Sequence, residues 1–405
     1  MKRQRPDDGQ SRCGLLKSFE CVGIMELVYS FLMNKEYSEY YFLKLRTICK
    51  MTKLWSVRLY NLVMPMITSQ IDATKWQAMI PNLRHMKLTK VHVKLAFLHL
   101  RSLIIHGEPV EDVMSINDWN CPLLENFESS VITTSVIKRL PFTFPNLKSL
   151  SICVKSEREI ILSGFANVET LYILLTPETR VRVHIATMPK LTDFKITGLV
   201  NQLNFRFTPN LKCISSSNPS NSGMYNELLF HDPVPSLECL TLGSLKSEYG
   251  GLLQIDSNDH VHWENIKKLS VIYSHTFEKL WSRLNSIEEL EIIDTMFLII
   301  NWSYLTHLKH LGWRNPSFDL LSSIIVLKQN ITSLTIQWDN GFVMDFAMLL
   351  HFPNLTKVTM ITTRGKYENF DSLFQIPKLN ILQCSMKNLS ISEKMLLTHW
   401  NIKNK

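Results

Sequence analysis

The sequence predicts an α/β fold: a solenoid in which each repeat lays down one parallel strand and returns through a short helix or turn, preceded by a small all-α head. Three observations predict it. The phrase "FPNLKSLSI" at Phe144 to Ile152 returns as "FPNLTKVTM" at Phe352 to Met360. A skeleton Leu-x-x-Leu-x-Leu, with apolar substitutes and often a preceding Pro, recurs along most of the chain. Residues 23–63 lack that skeleton and carry apolar residues at helical spacing instead.

Fourteen copies of the skeleton begin at Leu83, Leu100, Leu124, Leu147, Val168, Leu191, Leu211, Leu237, Ile266, Ile287, Leu308, Ile331, Leu355 and Leu379. Their spacings, from 17 to 29 residues and mostly 20 to 26, match the period of leucine-rich repeats. Alternate residues of a strand face opposite ways, so the fourth and sixth positions of each copy share one face and the third, fifth and seventh share the other. All fourteen fourth positions are apolar, from Met86 to Leu382, and only Ser129 and Ser216 interrupt the sixth. One such strand cannot bury its apolar face alone, whereas stacked parallel strands share a continuous core. Short helices or helical turns are expected on the return path at "SSIIVLKQ" (Ser322 to Gln329) and "FAMLLHF" (Phe346 to Phe352). The ninth position, where Asn or Cys usually closes the repeat, holds Val91, Glu108, Lys155, Thr176 and Leu199 in the first well-formed copies, which predicts irregular turns.

The expected division is a disordered basic tail at 1–14, a helical domain at 15–62, a linker helix or solenoid cap at 63–80, about 14 repeats at 81–390 and a tail at 391–405. A solenoid of 405 residues grows by addition and escapes the size limit on a single globular core. No apolar run approaches the roughly 18 residues that span a bilayer. The opening "MKRQRPDDGQSRC" lacks the apolar stretch of a secretory signal, so a cytoplasmic protein is expected, with "KRQR" open to reading as a nuclear-entry signal or a solvated tail. The eight cysteines are scattered without Cys-x-x-Cys spacing, which predicts free thiols and no zinc or other cofactor. Of the net charge of +8, residues 1–62 hold +5 (11 Lys/Arg against 6 Asp/Glu), leaving +3 for the array. A surface so large and so nearly neutral speaks against nucleic acid as the partner.

The stretch "IMELVYSFLMNKEYSEYYFLKLRTICKMTKLW" resembles an F-box. Glu26, Leu27, Phe31 and Leu32 match its first helix, and Leu43, Leu45, Ile48, Cys49, Lys50 and Trp55 its second part. It departs from the family in lacking Leu-Pro before the first helix and in a longer connector at Asn34 to Tyr41. An F-box followed by leucine-rich repeats is a known family layout. The resemblance implies a substrate-recognition subunit of a cullin-type ubiquitin ligase, with the F-box binding a Skp-type adaptor that docks on a cullin. Met25, Leu27, Val28, Phe31, Leu32, Leu45 and Ile48 would make the adaptor contact. The alternative is an interaction scaffold without a ligase, its head merely capping the solenoid. An enzyme is not expected: about twenty residues follow the last strand, and no phosphate loop, His-Glu-x-x-His helix or nucleophile elbow is present.

A protein substrate is expected on the concave face, at outward strand positions. The candidates are Tyr172, Lys195, Lys268, Glu289, Glu291, Arg314, Gln337 and Lys357, with Trp338 beside them as an aromatic anchor. The polar stretches "SSSNPSNSGMYNE" and "SEYGGLLQIDSNDH" would form loops overhanging that face.

Overall fold

The computed structural model describes residues 61–64, 83–88, 95–106, 119–155, 158–176, 181–217, 227–242, 254–255, 260–272, 280–293, 301–314, 323–338, 343–362, 366–384 and 389–403. The expected adaptor contacts, Met25 to Ile48, and most of both expected overhanging loops lie outside them. The chain divides into two compact units, Met1–Leu147 and Lys148–Lys405.

In the first unit, β1 (Asn61–Met64), β2 (His85–Leu88), β3 (Ser102–Ile105) and β4 (Asn126–Ile132) pair in parallel in that order. Among the described residues the array therefore begins one strand before the first copy legible in the sequence, at the junction assigned to the helical head and linker helix. Met86, Leu103 and Phe127 stand in one register column and are buried. Two one-turn helices follow, α1 (Thr134–Ile137) and α2 (Leu140–Thr143), the latter opened by Pro141, which has no amide to leave unpaired. Phe144 packs 5.9 Å from the Phe127 ring and 6.2 Å from that of Trp119.

The second unit holds β5 (Ser149–Val154), β6 (Glu159–Ser163), β7 (Thr170–Leu175), β8 (Val181–Ala186), β9 (Asp193–Thr197), β10 (Val200–Arg206) and β11 (Cys213–Ser217). There follow β12 (Glu227–Phe230), β13 (Cys239–Leu242), β14 (Gln254–Ile255), β15 (Lys268–Ile272), β16 (Glu289–Ile293), β17 (His310–Arg314) and β18 (Ser333–Trp338). The last are β19 (Val343–Asp345), β20 (Lys357–Thr362), β21 (Lys366–Glu368) and β22 (Ile381–Cys384). A first parallel sheet runs β5-β7-β9-β11-β13-β15-β16-β17-β18-β20-β22. Its fourth-position column, Leu150, Leu171, Phe194, Ile214, Leu240, Leu269, Leu290, Leu311, Leu334, Val358 and Leu382, runs in unbroken register and is buried throughout. This is a leucine-rich repeat solenoid: each leucine covers the next, and burial of such a side chain stabilises by about 1.5–3 kcal/mol.

The second layer changes character along the chain. Toward its end it consists of 3-10 turns, including Ile324–Leu327 and Phe346–His351, at the two stretches where the sequence predicts helical turns, together with a short parallel pair of β19 and β21. Between residues 159 and 255 it is a second parallel sheet, ordered β14-β12-β10-β8-β6. The segments "EIILS", "VRVHIA" and "ELLF" alternate with a period of two, which suits a strand with one buried face. Phe205 lies edge-on to Phe194 at 5.2 Å and stacked on Phe230 at 5.5 Å, joining the two sheets through one core.

The recurrent "PNL" has a physical cause. In five copies an asparagine directly before the first apolar position reaches back to a backbone carbonyl of the preceding repeat. Asn146 donates to Pro122 O at 2.9 Å, Asn210 to Pro189 O at 2.6 Å, Asn265 to Pro235 O at 2.9 Å, Asn330 to Thr306 O at 2.7 Å and Asn354 to Gln329 O at 2.8 Å. Asparagine thus does join neighbouring repeats here, at the entry to the strand rather than at the ninth position, each bond contributing about 1 kcal/mol.

Residues expected to be a tail form α3 (Ile391–Lys403). Its start is a capping box. The Glu393 carboxylate accepts from Ser390 N at 2.6 Å, and Ser390 Oγ accepts from Glu393 N at 3.3 Å. Leu389 and Leu397 are buried at this end of the unit.

Candidate interaction surface on the first sheet

With the fourth and sixth positions turned inward, the third and fifth positions of the second unit's first sheet make two parallel ladders on its open face. The third-position ladder reads Ser149, Thr170, Asp193, Cys213, Cys239, Lys268, Glu289, His310, Ser333, Lys357 and Ile381. The fifth reads Ser151, Tyr172, Lys195, Ser215, Thr241, Ser270, Glu291, Gly312, Thr335, Thr359 and Gln383. Seven of the nine predicted contact residues stand on this face: Tyr172, Lys195, Lys268, Glu289, Glu291, Gln337 and Lys357. All of them are half-buried or exposed. Arg314 holds its register place between Ile293 and Gln337, and its side chain lies outside the described residues.

Trp338 does not belong to this surface. It is the eighth residue of its copy, so it turns inward with Leu334 and Ile336 and is 0% exposed. Closeness in sequence placed it beside Gln337, but strand alternation sends neighbouring residues to opposite faces.

The face is already laced together. Lys195 Nζ stands 5.2 Å from the Tyr172 ring centroid, a cation–π contact between adjacent strands. Lys268 Nζ lies 2.8 Å from Glu289 Oε2, and Ser270 Oγ donates to Glu291 Oε2 at 3.1 Å. Gly312 leaves a notch in the fifth-position ladder that Glu291 partly covers: a Cβ added there would lie 3.3 Å from Glu291 Cγ. The acidic pair Glu289 and Glu291 is thus partly compensated by its neighbours rather than standing as a bare negative patch. The Glu289 carboxylate holds the Lys268 ammonium above the ordinary lysine range, with smaller help from Cys239 and Glu291 and against the cost of burial. A raised lysine stabilises fully at neutral pH and loses its contribution only as pH climbs through the raised value. Because both partners are about half exposed, Lys268→Ala is expected to lower stability by no more than about 1 kcal/mol, an effect that shrinks further in high salt. Urea melts at low and high ionic strength measure it.

A cleft of about 480 Å3, which the sequence did not signal, lies on the second sheet. It is lined by Ile161, His184, Ala186, Asn204, Arg206, His231 and Asp232. Ile161, His184 and Asn204 share one register column, and Asn204 Nδ2 lies 3.1 Å from His184 Nδ1. Asp232 accepts the amide of Phe207, a residue held at φ +53° in the turn after β10. Among the described residues no three His, Cys, Asp or Glu side chains gather as a metal site, and no helix is long and apolar enough to cross a membrane.

No protein-family profile matches the chain, and no curated protein matches it. Among solved structures it is similar to the crystal structure of a TLR13–ssRNA13 complex, with 16% sequence identity and a TM-score of 0.31 over 82% of this chain and 69% of that one.

Proposed function

We propose that this chain is the substrate-recognition subunit of a Skp- and cullin-dependent ubiquitin ligase, holding a protein substrate on the open face of its leucine-rich repeats. The observation that carries the ligase part is the F-box-like stretch "IMELVYSFLM…LKLRTICKMTKLW" directly upstream of a repeat array. For the binding part, the support is a long ladder of half-exposed polar and aromatic side chains on a rigid sheet, the kind of extended surface that repeat proteins use for partners. In this reading the chain performs no chemistry itself. It raises the effective concentration of substrate lysines near a ubiquitin thioester held by another subunit.

The test is a split between two surfaces. Leu27→Ala or Phe31→Ala is expected to abolish co-purification with a Skp-type adaptor and cullin while leaving the circular dichroism spectrum unchanged. Tyr172→Ala is expected to leave adaptor binding intact and weaken substrate capture by about 1–2 kcal/mol. If the wild-type chain captures no Skp-type adaptor, the ligase reading fails and the interaction-scaffold reading takes its place.

A further inference from the structure

Cys213 and Cys239 occupy the third position of successive repeats, and the register sets them directly opposite one another on β11 and β13. Both residues are free and half-buried on the open face. Neighbouring strands run about 4.8 Å apart, inside the Cα separation of about 4.4–6.8 Å that a disulfide accepts. The other described cysteines have no such neighbour: Cys153 is registered with Leu174, Cys384 with Met360, and Cys121 is buried.

We propose that Cys213 and Cys239 form a vicinal dithiol site on the first sheet, a modification site at which a two-electron oxidant such as hydrogen peroxide closes a disulfide between adjacent strands. The thiolate of one cysteine attacks a peroxide oxygen and the O–O bond breaks, leaving a sulfenic acid and, after proton uptake, one water. The second thiol attacks the sulfenic sulfur, the S–O bond breaks, and the hydroxyl leaves as a second water with the thiol's proton. In total the two thiols give up two protons and two electrons, and one peroxide becomes two waters. A low-molecular-weight disulfide reaches the same product by two exchange steps that release two small thiols.

Asp193 flanks Cys213 on one side and Lys268 flanks Cys239 on the other, so the four form one row across the sheet. Burial, then Cys239 and Asp193, raise the Cys213 thiol above its ordinary range. Either sulfur can be the one that meets the oxidant, and the other resolves it. The cysteine pair lies between the Tyr172–Lys195 contact and the Lys268–Glu289 pair, inside the surface assigned to a protein partner. The dithiol chemistry does not depend on that assignment.

The experiment uses the full chain, reduced and then exposed to hydrogen peroxide. Free thiols are blocked with iodoacetamide in denaturant before digestion and mass spectrometry. The expected product is a dithiothreitol-sensitive peptide pair joining Cys213 to Cys239, lighter by two hydrogens, with Cys153 still alkylated. In a second measurement phenylarsine oxide, which bridges two thiols, binds the folded reduced chain. Cys213→Ser and Cys239→Ser each weaken that binding by on the order of tenfold or more, because two-point attachment is lost, whereas Cys153→Ser leaves it unchanged. The proposal is overturned if the two cysteines end as separate sulfinic acids, if the disulfide forms equally well in guanidinium chloride, or if the single serine variants keep full arsenical affinity.

Discussion

Trp338→Ala is expected to lower the stability of the second unit by about 3–5 kcal/mol, the range for truncating a buried large aromatic. Trp338 is fully enclosed, stands opposite the buried Thr362 on the next strand, and continues the inward column of Leu334 and Ile336. Removing the indole leaves a cavity inside a stack of registered strands that cannot close on it without breaking their ladder. Urea denaturation followed by circular dichroism reads the loss directly. A change under about 1 kcal/mol would show that the indole is solvent-exposed and return it to the partner-binding face. Any loss of partner capture by this variant is then unfolding, which Tyr172→Ala on the open face does not cause.

Gly198→Ala is the second large effect. Gly198 begins the two-residue passage from β9 to β10, where the chain leaves one sheet and enters the other. Its φ is +130°, a conformation that L side chains rarely adopt, and its amide donates to Ser217 O at 2.8 Å. A Cβ there would lie 2.5 Å from Leu175 Cβ and 3.0 Å from Leu175 O. Backbone strain of roughly 1–3 kcal/mol adds to overpacking of about 1–3 kcal/mol, because the obstacle is backbone and Cβ and cannot rotate away. The check is a denaturation midpoint for Gly198→Ala alone and combined with Leu175→Ala. Truncating Leu175 leaves the offending Cβ in place, so no rescue is expected. Recovery of stability in the double variant would mean that the contact is made by the flexible end of the leucine.

Much of the candidate surface was legible because it is the complement of the core. Once the fourth and sixth positions are known to face inward, Tyr172, Lys195, Lys268 and Glu289 follow as outward without further information. The same rule holds the Cys213–Cys239 pair, since two cysteines at the third position of consecutive copies must be neighbours in a parallel sheet. Seen one strand at a time, the cysteines look scattered, and only the alignment of copies brings them together. The capping box at "SISE" was also present in the sequence and predicts the start of α3.

The sequence by itself determined the repeat, its inward columns and the strand register, because these rest on alternation within a few residues and on the recurrence of one short phrase. Only the tertiary structure decided how far each strand runs, and so that Trp338 turns into the core. It also decided that the return path between residues 159 and 255 is a second sheet rather than helices, and which carbonyl each "PNL" asparagine reaches. These outcomes depend on contacts between residues twenty or more positions apart, where the energy of a shared core outweighs local propensity.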